Sequence, residues 1–249
     1  MTRIGVFDSG LGGLALLKKL ADSHKAQYFY LGDNKRVPYG AKSKEEIAQY
    51  SVEIVRFLEK FDIDFYVIAC NTISVNAIDC LEKTFDKKFI TVTEMGIRAA
   101  DEKEGDFLLL ATKATVDTHV YKEKIEKISE KKVTEVSAPV LVDLIEKGEI
   151  DSREMDEAIK GYLKKANDEK IENIILGCTH YPIIKERIEE NLSYPATIID
   201  PADYLCENLS FKEDEKSQVQ IFMTRINPIS QKMASMIMGR DVEIKEAIL

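Results

Sequence analysis

Two cysteines occupy matching places in two stretches of the chain. Cys70 and Cys178 each follow a short apolar run and precede a threonine and a helical pattern. A lone reduced cysteine is usually a small buried apolar residue, and Cys80 and Cys206 fit that description. Cys70 and Cys178 instead lie at predicted strand-to-helix junctions, where a helix N-terminus lowers the pKa of a thiol. The matching positions predict one cleft with a reactive thiol on each wall.

Opposed thiols suit the removal of a proton from one face of a carbon acid and its replacement on the other face. Racemisation of an amino acid without a cofactor needs a base and a conjugate acid on opposite faces of Cα, and these exchange roles in the reverse reaction. Both groups should therefore have like chemistry, and thiols serve once their neighbours tune them. We expect Asp8 and His180 to assist, since general acid–base help contributes ~10²–10⁴-fold.

Polar residues cluster directly after the predicted strands, where open α/β sheets bind their ligands. They are Asp8, Ser9, Asp33, Cys70, Asn71, Cys178, Thr179 and His180. The glycine-rich stretch 10–13 lacks the spacing of a dinucleotide loop, so we interpret it as an anion site suited to a carboxylate. Cys178 and His180 lack the second Cys/His pair that a metal site needs, so no metal is predicted.

Short apolar runs alternate with longer amphipathic stretches along the chain. The predicted strands are Ile4–Phe7, Tyr28–Leu31, Phe65–Ala69, Phe107–Ala111, Ile174–Leu176, Thr197–Ile199 and a C-terminal strand in Ser217–Met223. The predicted helices are Leu14–Ala21, Lys44–Lys60, Thr72–Phe85, Thr118–Ser129, Met155–Asp168, Ile183–Asn191 and Ile229–Met238. This alternation predicts an α/β fold with mostly parallel sheets and covering helices.

The repeated strand–Cys–helix pattern predicts two similar, pseudo-symmetric halves. We expect flavodoxin-like halves that face each other, with the active site in the cleft between them. The stretch 93–103 is the candidate link, and the C-terminal strand and helix are expected to return to the first half. The predicted first domain is 1–96 plus 208–249, which carries Cys70, and the second is 97–207, which carries Cys178.

Charge and composition exclude several classes of protein. The net charge of −9, from 35 basic and 44 acidic residues, makes nucleic acid a poor partner because such a surface repels phosphates. No apolar run approaches the ~18–20 residues that a membrane-spanning helix needs. A strand pattern starts at about Arg3 without a signal peptide before it, and four cysteines are too few for a disulfide scaffold. We expect a cytoplasmic protein with reduced thiols.

Four sequence blocks, taken in order, carry a resemblance to a known family. They are Asp8-Ser9-Gly10-Leu11-Gly12-Gly13, Gly32-Asp33-Asn34-Lys35-Arg36-Val37-Pro38-Tyr39-Gly40, Ala69-Cys70-Asn71-Thr72 and Leu176-Gly177-Cys178-Thr179-His180-Tyr181-Pro182. Over essentially its whole length the chain resembles the glutamate racemases of the aspartate/glutamate racemase superfamily. The resemblance implies a two-base interconversion of L-glutamate and D-glutamate without a cofactor or metal, which supplies D-glutamate for peptidoglycan.

The resemblance also implies roles for individual residues. It implies that Cys70 takes the proton from D-glutamate with support from Asp8. It implies that Cys178 takes the proton from L-glutamate with support from His180 and Glu146. The implied substrate contacts are Asp8, Ser9, Tyr39, Gly40, Asn71, Thr72, Thr115, Thr179 and His180. The implied partner is the small-molecule substrate alone, with no nucleic acid and no membrane, and a homodimer is compatible with the sequence.

Some alternatives stay open at this point. The segment 90–96 departs from the family's pattern, which affects the expected hinge between the halves. Glu146 lies in a helical pattern that also admits a plain surface position. An aspartate racemase or related isomerase is the nearest alternative, because one methylene of substrate is worth only ~1–3 kcal/mol. A non-catalytic amino-acid or nucleotide sensor is the alternative from another class, but it gives no reason for two matching thiols.

Overall fold

The computed structural model describes residues 1–249 and contains two separate parallel sheets covered by helices. The strands are β1 Arg3–Asp8, β2 Gln27–Gly32, β3 Phe65–Ile68, β4 Lys88–Thr91, β5 Phe107–Ala111, β6 Val133–Ser137, β7 Asn173–Gly177, β8 Thr197–Ile199, β9 Gln218–Met223 and β10 Ile244–Glu246. The helices are α1 Gly13–Ser23, α2 Lys44–Leu58, α3 Asn71–Asn76, α4 Ile78–Thr84, α5 Val92–Asp101, α6 Lys113–Val116, α7 Val120–Ile128, α8 Pro139–Glu146, α9 Arg153–Glu169, α10 Lys185–Glu190, α11 Pro201–Asn208 and α12 Pro228–Met238. Short 3₁₀ turns occupy Tyr39–Ala41, Glu59–Phe61 and Tyr181–Ile184.

The two sheets repeat one strand order. The first sheet has the order β10-β9-β2-β1-β3-β4, and the second has the order β6-β5-β7-β8. Every strand pair in both sheets is parallel. The block β2-β1-β3-β4 therefore corresponds strand for strand to β6-β5-β7-β8, which is the order at the core of flavodoxin-like sheets. The prediction of two pseudo-symmetric α/β halves is confirmed, and β9 and β10 return to the first sheet.

The central strands form where the sequence offers continuous apolar runs. Strands β5 and β7 are buried at every position, and β1 and β2 at every position but the first, as parallel strands covered on both faces should be. The sequence pattern does not predict β4, β6 or β10. All three lie at sheet edges, where the partly exposed side chains give no continuous apolar signal.

Helix boundaries follow local capping. Ser43 and Glu46 form a reciprocal capping box at the start of α2, and Ser152 caps α9 through the Met155 N–H. Asn227 forms a second capping box at the start of α12, which ends at Gly239 with φ of +67°. These polar side chains satisfy backbone N–H groups that the first helical turn leaves without partners.

The predicted single helix 72–85 is wrong, because the chain breaks it at Ala77 into α3 and α4. Two side chains of α3 bond back to carbonyls one turn earlier, Ser74 Oγ to Cys70 at 2.8 Å and Asn76 Nδ2 to Thr72 at 2.9 Å. Asn76 also donates to the Ala114 carbonyl on the other half. Such local bonds compete with the helical ladder and bend the chain.

The candidate link 93–103 is mostly helical rather than an extended connection. Thr91 caps α5 through the Glu94 N–H, and the helix packs on α11 and α7. Val92 and Met95 join the core of the first sheet, whereas Ile97 and Ala100 join a core beside β5. Helix α11 likewise contributes Ala202, Leu205 and Cys206 to the core of the first sheet. The division at 96/97 and 207/208 stays a prediction.

The helices are too short or too polar for a membrane span: none combines the required length with the required apolar character.

Candidate active site

The carboxyl ends of the central strands of both sheets carry the polar residues singled out from the sequence. Strand β1 ends at Asp8, Asp33 follows β2, Cys70 lies just beyond β3, and Cys178 follows β7. Thr112 follows β5 in the second half and is the positional counterpart of Ser9. Because strands of a parallel sheet end at one edge, each half presents its polar residues together.

A cavity of about 220 Å³ lies between these two edges. Its lining includes nine residues predicted for catalysis or substrate binding, namely Ser9, Tyr39, Gly40, Cys70, Asn71, Thr72, Cys178, Thr179 and His180. Asp8, Thr115 and Glu146 were also predicted but stand behind this lining. Asp8 and Thr115 are buried, and their roles as substrate contacts stay predictions.

Cys70 is buried beside Ser9 and close to Asp8. Its Sγ donates to Ser9 Oγ at 3.5 Å. Burial, reinforced by the nearby Asp8 carboxylate, raises the pKa of Cys70 to about 12. The Ile73 N–H in the first turn of α3 acts to lower that pKa, as the position at a helix N-terminus predicts, but desolvation outweighs it. Cys70 is held as a thiol, which is the form that donates a proton.

Cys178 belongs to a chain of three proton-handling groups. Its Sγ lies 3.6 Å from His180 Nδ1, and His180 Nε2 lies 2.6 Å from Glu146 Oε1. Burial alone would lower the pKa of His180, but the hydrogen bonds to Cys178 and Glu146 outweigh it and hold that pKa well above its ordinary value. His180 therefore links the Cys178 sulfur to the Glu146 carboxylate. The structure thus places Glu146, on α8, against His180 rather than at the surface.

Asp8 connects the two halves. Its Oδ1 accepts the Gly10 N–H at 2.8 Å, and its Oδ2 accepts the Thr179 hydroxyl at 3.1 Å. Burial raises the pKa of Asp8, although the nearby His180 and these hydrogen bonds act in the opposite direction. One carboxyl therefore contacts the segment next to Cys178 while it also lies close enough to Cys70 to influence that thiol.

Gly12 allows the two halves to approach closely. A Cβ at this position would stand 2.5 Å from Thr179 Oγ1 and 2.9 Å from His180 Nδ1. The backbone has φ of −57° and ψ of −37°, so the glycine is required by space and not by conformation. The Gly12 backbone is the surface on which the Thr179–His180 segment rests.

Asn71 has a fixed amide orientation. Its Oδ1 accepts hydrogen bonds from the Tyr121 hydroxyl at 2.6 Å and the Thr93 hydroxyl at 3.2 Å. With the oxygen occupied, the amide N–H₂ group is left to donate into the cavity, where it suits a carboxylate.

A cluster of three hydroxyls joins the halves beside Asn71. Thr72 Oγ1 lies 2.8 Å from Thr112 Oγ1 and 3.4 Å from Thr115 Oγ1, and the last two lie 3.0 Å apart. Thr112 also packs against Gly40, where a Cβ would come within 2.9 Å of its side chain. Thr115 thus orients Thr72 and Thr112, both of which line the cavity.

The predicted site lacks eight residues that complete the lining: Val37, Pro38, Ala41, Thr112, Lys113, Pro139, Val142 and Asp143. The last three belong to α8, which forms one wall of the cavity. The sequence signals for this helix are the helical pattern around Glu146 and the family resemblance at that residue, and neither identifies Pro139, Val142 or Asp143 as cavity residues.

Comparisons with known proteins agree with this fold. The sequence profile of the Asp/Glu/Hydantoin racemase family matches residues 4–209. The chain therefore belongs to the Asp/Glu/Hydantoin racemase family, and it is an isomerase.

The relatives narrow the resemblance within that family. A glutamate racemase from Persephonella marina is 36% identical over 250 residues, which cover 98% of this chain and 96% of the relative. A crystal structure of a glutamate racemase isoform from Bacillus anthracis matches with a TM-score of 0.94 at 28% identity, over 100% of this chain and 98% of that one. Glutamate racemase from Francisella tularensis, solved with D-glutamate, matches with a TM-score of 0.86 at 30% identity, over 100% and 97%. These findings confirm the resemblance to glutamate racemases.

Proposed function

We propose that this protein interconverts L-glutamate and D-glutamate without a cofactor, by proton transfer at Cα between Cys70 and Cys178. The observation that carries the proposal is the pair of buried thiols, one from each half, lining one cavity of about 220 Å³. Each thiol has its own polar support. Cys70 has Ser9 and Asp8, and Cys178 has His180 and Glu146.

In the proposed L-to-D direction, Cys178 acts as the base and Cys70 as the acid. Cys178, whose Sγ lies 3.6 Å from His180 Nδ1, is the base that removes the proton from Cα of L-glutamate. The thiol of Cys70, held protonated by its high pKa, donates its proton to the opposite face and gives D-glutamate. One proton is taken up and one is released, so the enzyme finishes with the two thiol roles exchanged. The D-to-L direction starts from that exchanged form.

Glutamate as the substrate is supported by the relatives and by the donors in the cavity. The Asn71 amide and the Thr72 and Thr112 hydroxyls offer hydrogen bonds to carboxylates, and a glutamate racemase with a TM-score of 0.86 to this chain holds D-glutamate. Aspartate is shorter by one methylene, so we expect its kcat/KM to be lower by ~10–200-fold.

The test measures racemisation of each enantiomer by circular dichroism in wild type, Cys70→Ala and Cys178→Ala. We expect both variants to lose racemisation, because each direction needs an acid and a base. Any residual exchange of the Cα hydrogen with solvent should affect mainly L-glutamate in Cys70→Ala and mainly D-glutamate in Cys178→Ala. Cys80→Ala is the matched control, since that free thiol does not line the cavity, and it should keep full turnover.

Two results would overturn the proposal. Folded Cys70→Ala with more than a small fraction of wild-type racemisation would exclude the two-base mechanism. Faster turnover of aspartate than of glutamate by the wild type would exclude glutamate as the preferred substrate.

The D-glutamate formed is proposed to supply peptidoglycan synthesis, as the family resemblance implies. The cytoplasmic location and the homodimer stay predictions from the sequence.

A further inference from the structure

The loop that presents Tyr39 and Gly40 to the cavity is anchored from outside the site, by the end of β9. Thr224, the first residue after β9, donates its hydroxyl to Asp33 Oδ1 at 2.7 Å. The Thr224 hydroxyl oxygen accepts the Lys35 N–H at 3.0 Å, and the Thr224 N–H donates to the Gly32 carbonyl at 3.2 Å. Thr224 is buried and does not line the cavity, so nothing in the mechanism uses it directly.

Asp33 passes this anchoring on to Tyr39. Its carboxylate is fully buried, and Oδ2 accepts from the Tyr39 hydroxyl at 2.5 Å and from Arg36 Nε at 2.5 Å. Arg36 is ion-paired with Glu53 and lies over the Tyr50 ring at 4.0 Å. The Tyr39 hydroxyl is therefore committed to Asp33, and its position depends on where the carboxylate is held.

A second contact reinforces the same anchoring. Asn34 donates through Nδ2 to the Arg225 carbonyl at 2.7 Å, and its Oδ1 accepts the Arg225 N–H at 2.9 Å. Segments 32–35 and 224–225 are thus joined by five hydrogen bonds, three of which involve Thr224. The C-terminal return of the chain fixes the start of the substrate-binding loop.

We propose that Thr224 is a positioning residue for glutamate binding: through Asp33 it fixes the loop that carries Tyr39 and Gly40. This inference rests on the proposed function, because it assigns the loop to substrate binding. The loop holds neither thiol, so its contacts are made equally to substrate and transition state. Loss of such uniform binding raises KM and leaves kcat unchanged.

The test compares KM and kcat of Thr224→Val, Thr224→Ser and wild type for both enantiomers of glutamate. Thr224→Val removes two buried hydrogen bonds at nearly constant volume, and we expect KM to rise about tenfold, with kcat within about twofold of wild type. Thr224→Ser keeps the hydroxyl and should restore KM to within about twofold of wild type.

Tyr28→Phe is the matched control for lost buried hydrogen bonds. The Tyr28 hydroxyl donates to the carbonyl oxygens of Leu20 at 3.1 Å and His24 at 2.9 Å. These contacts lie at the start of β2, whereas Thr224 contacts the residues at and beyond its end. This variant should lower the melting temperature as Thr224→Val does, without a change in KM. If Thr224→Val fails to fold, Asn34→Ala carries the test, with a smaller rise in KM expected.

The outcomes separate the two proposals. A wild type that does not racemise glutamate refutes the proposed function itself. An active wild type with unchanged KM in folded Thr224→Val, or a fall in kcat alone, refutes the positioning role. An equal rise of KM in Tyr28→Phe would show that lost stability alone raises KM, and this result would also refute the positioning role of Thr224.

Discussion

Substitution of Gly12 by alanine tests whether close contact between the halves positions Thr179 and His180 next to Cys178. Gly12 precedes α1 with helical φ and ψ, so alanine is conformationally acceptable at this position. The new methyl group would meet Thr179 Oγ1 at 2.5 Å and His180 Nδ1 at 2.9 Å, whereas ordinary contacts begin at 3.4 Å. Thr179 and His180 must therefore move by about 1 Å, or the two halves must separate by a similar distance.

A displacement of that size has a calculable cost. A misplacement of about 1 Å in a catalytic constellation costs ~10²-fold in rate, or about 2.7 kcal/mol of transition-state stabilisation. The Thr179 hydrogen bond to Asp8 would lengthen at the same time. Because the two enantiomers of free glutamate have equal energy, kcat/KM must fall by the same factor in both directions, which gives an internal check on the measurement.

The assay is initial racemisation rate in both directions, together with thermal unfolding. Gly161→Ala is the matched control. Gly161 lies in α9, and no neighbouring atom lies within 4 Å of the place that an alanine Cβ would occupy. That variant should gain about 0.5–1 kcal/mol of stability and keep its activity. A folded Gly12→Ala protein that retains kcat/KM within about threefold of wild type would refute the reasoning.

Two further predictions concern the charged groups of the site. Glu146→Gln should lower the pKa of His180. Burial acts to lower that pKa, and the hydrogen bonds to Cys178 and Glu146 hold it high. The alkaline limb of the plot of kcat/KM against pH should therefore move to lower pH, and an unmoved limb would contradict the role of Glu146. Asp8→Asn should lose activity yet gain stability near neutral pH. Burial raises the pKa of Asp8 above its ordinary value of 3.8. Between the two pKa values the folded protein holds a proton on Asp8 that the unfolded chain has lost. The free energy of unfolding of the wild type therefore falls as pH rises through this range. Denaturant unfolding of both proteins at several pH values measures this difference in stability. If the stability of Asp8→Asn relative to wild type falls between acidic and neutral pH, the prediction is contradicted.

The features that sequence could predict are those set by local pattern. Strands β3 and β7 are apolar runs that end at Cys70 and Cys178, and their equivalence along the chain predicts the two halves. Strands β4, β6 and β10 lie at sheet edges, where half-exposed residues carry no such pattern. The break at Ala77 accompanies local back-bonds from Ser74 and Asn76 and a bond from Asn76 to Ala114, a contact between halves that spacing along the chain does not encode.

The residues of the candidate site also divide into those that local sequence pattern predicts and those that it does not. Residues at strand ends could be predicted because topology alone brings them together. The pairing of Glu146 with His180, 34 positions apart, came only from family resemblance, since α8 reaches the site through the packing of the second half. The high pKa of Cys70 could not be predicted either. Proximity to a helix N-terminus is visible in sequence, whereas the burial that overrides it is a property of the assembled fold.

Proton origin tests the two-thiol account most directly. Pure enzyme is incubated with L-glutamate in D₂O, and early in the reaction the Cα hydrogen of each enantiomer is measured by mass spectrometry after chiral separation. The account predicts deuterium in the newly formed D-glutamate, supplied by Cys70, while the remaining L-glutamate keeps its original hydrogen; starting from D-glutamate should give the mirror result. Early D-glutamate that retains the original hydrogen, or equal labelling of both enantiomers, would show a single base at work and contradict the assignment of Cys70 and Cys178 as a pair.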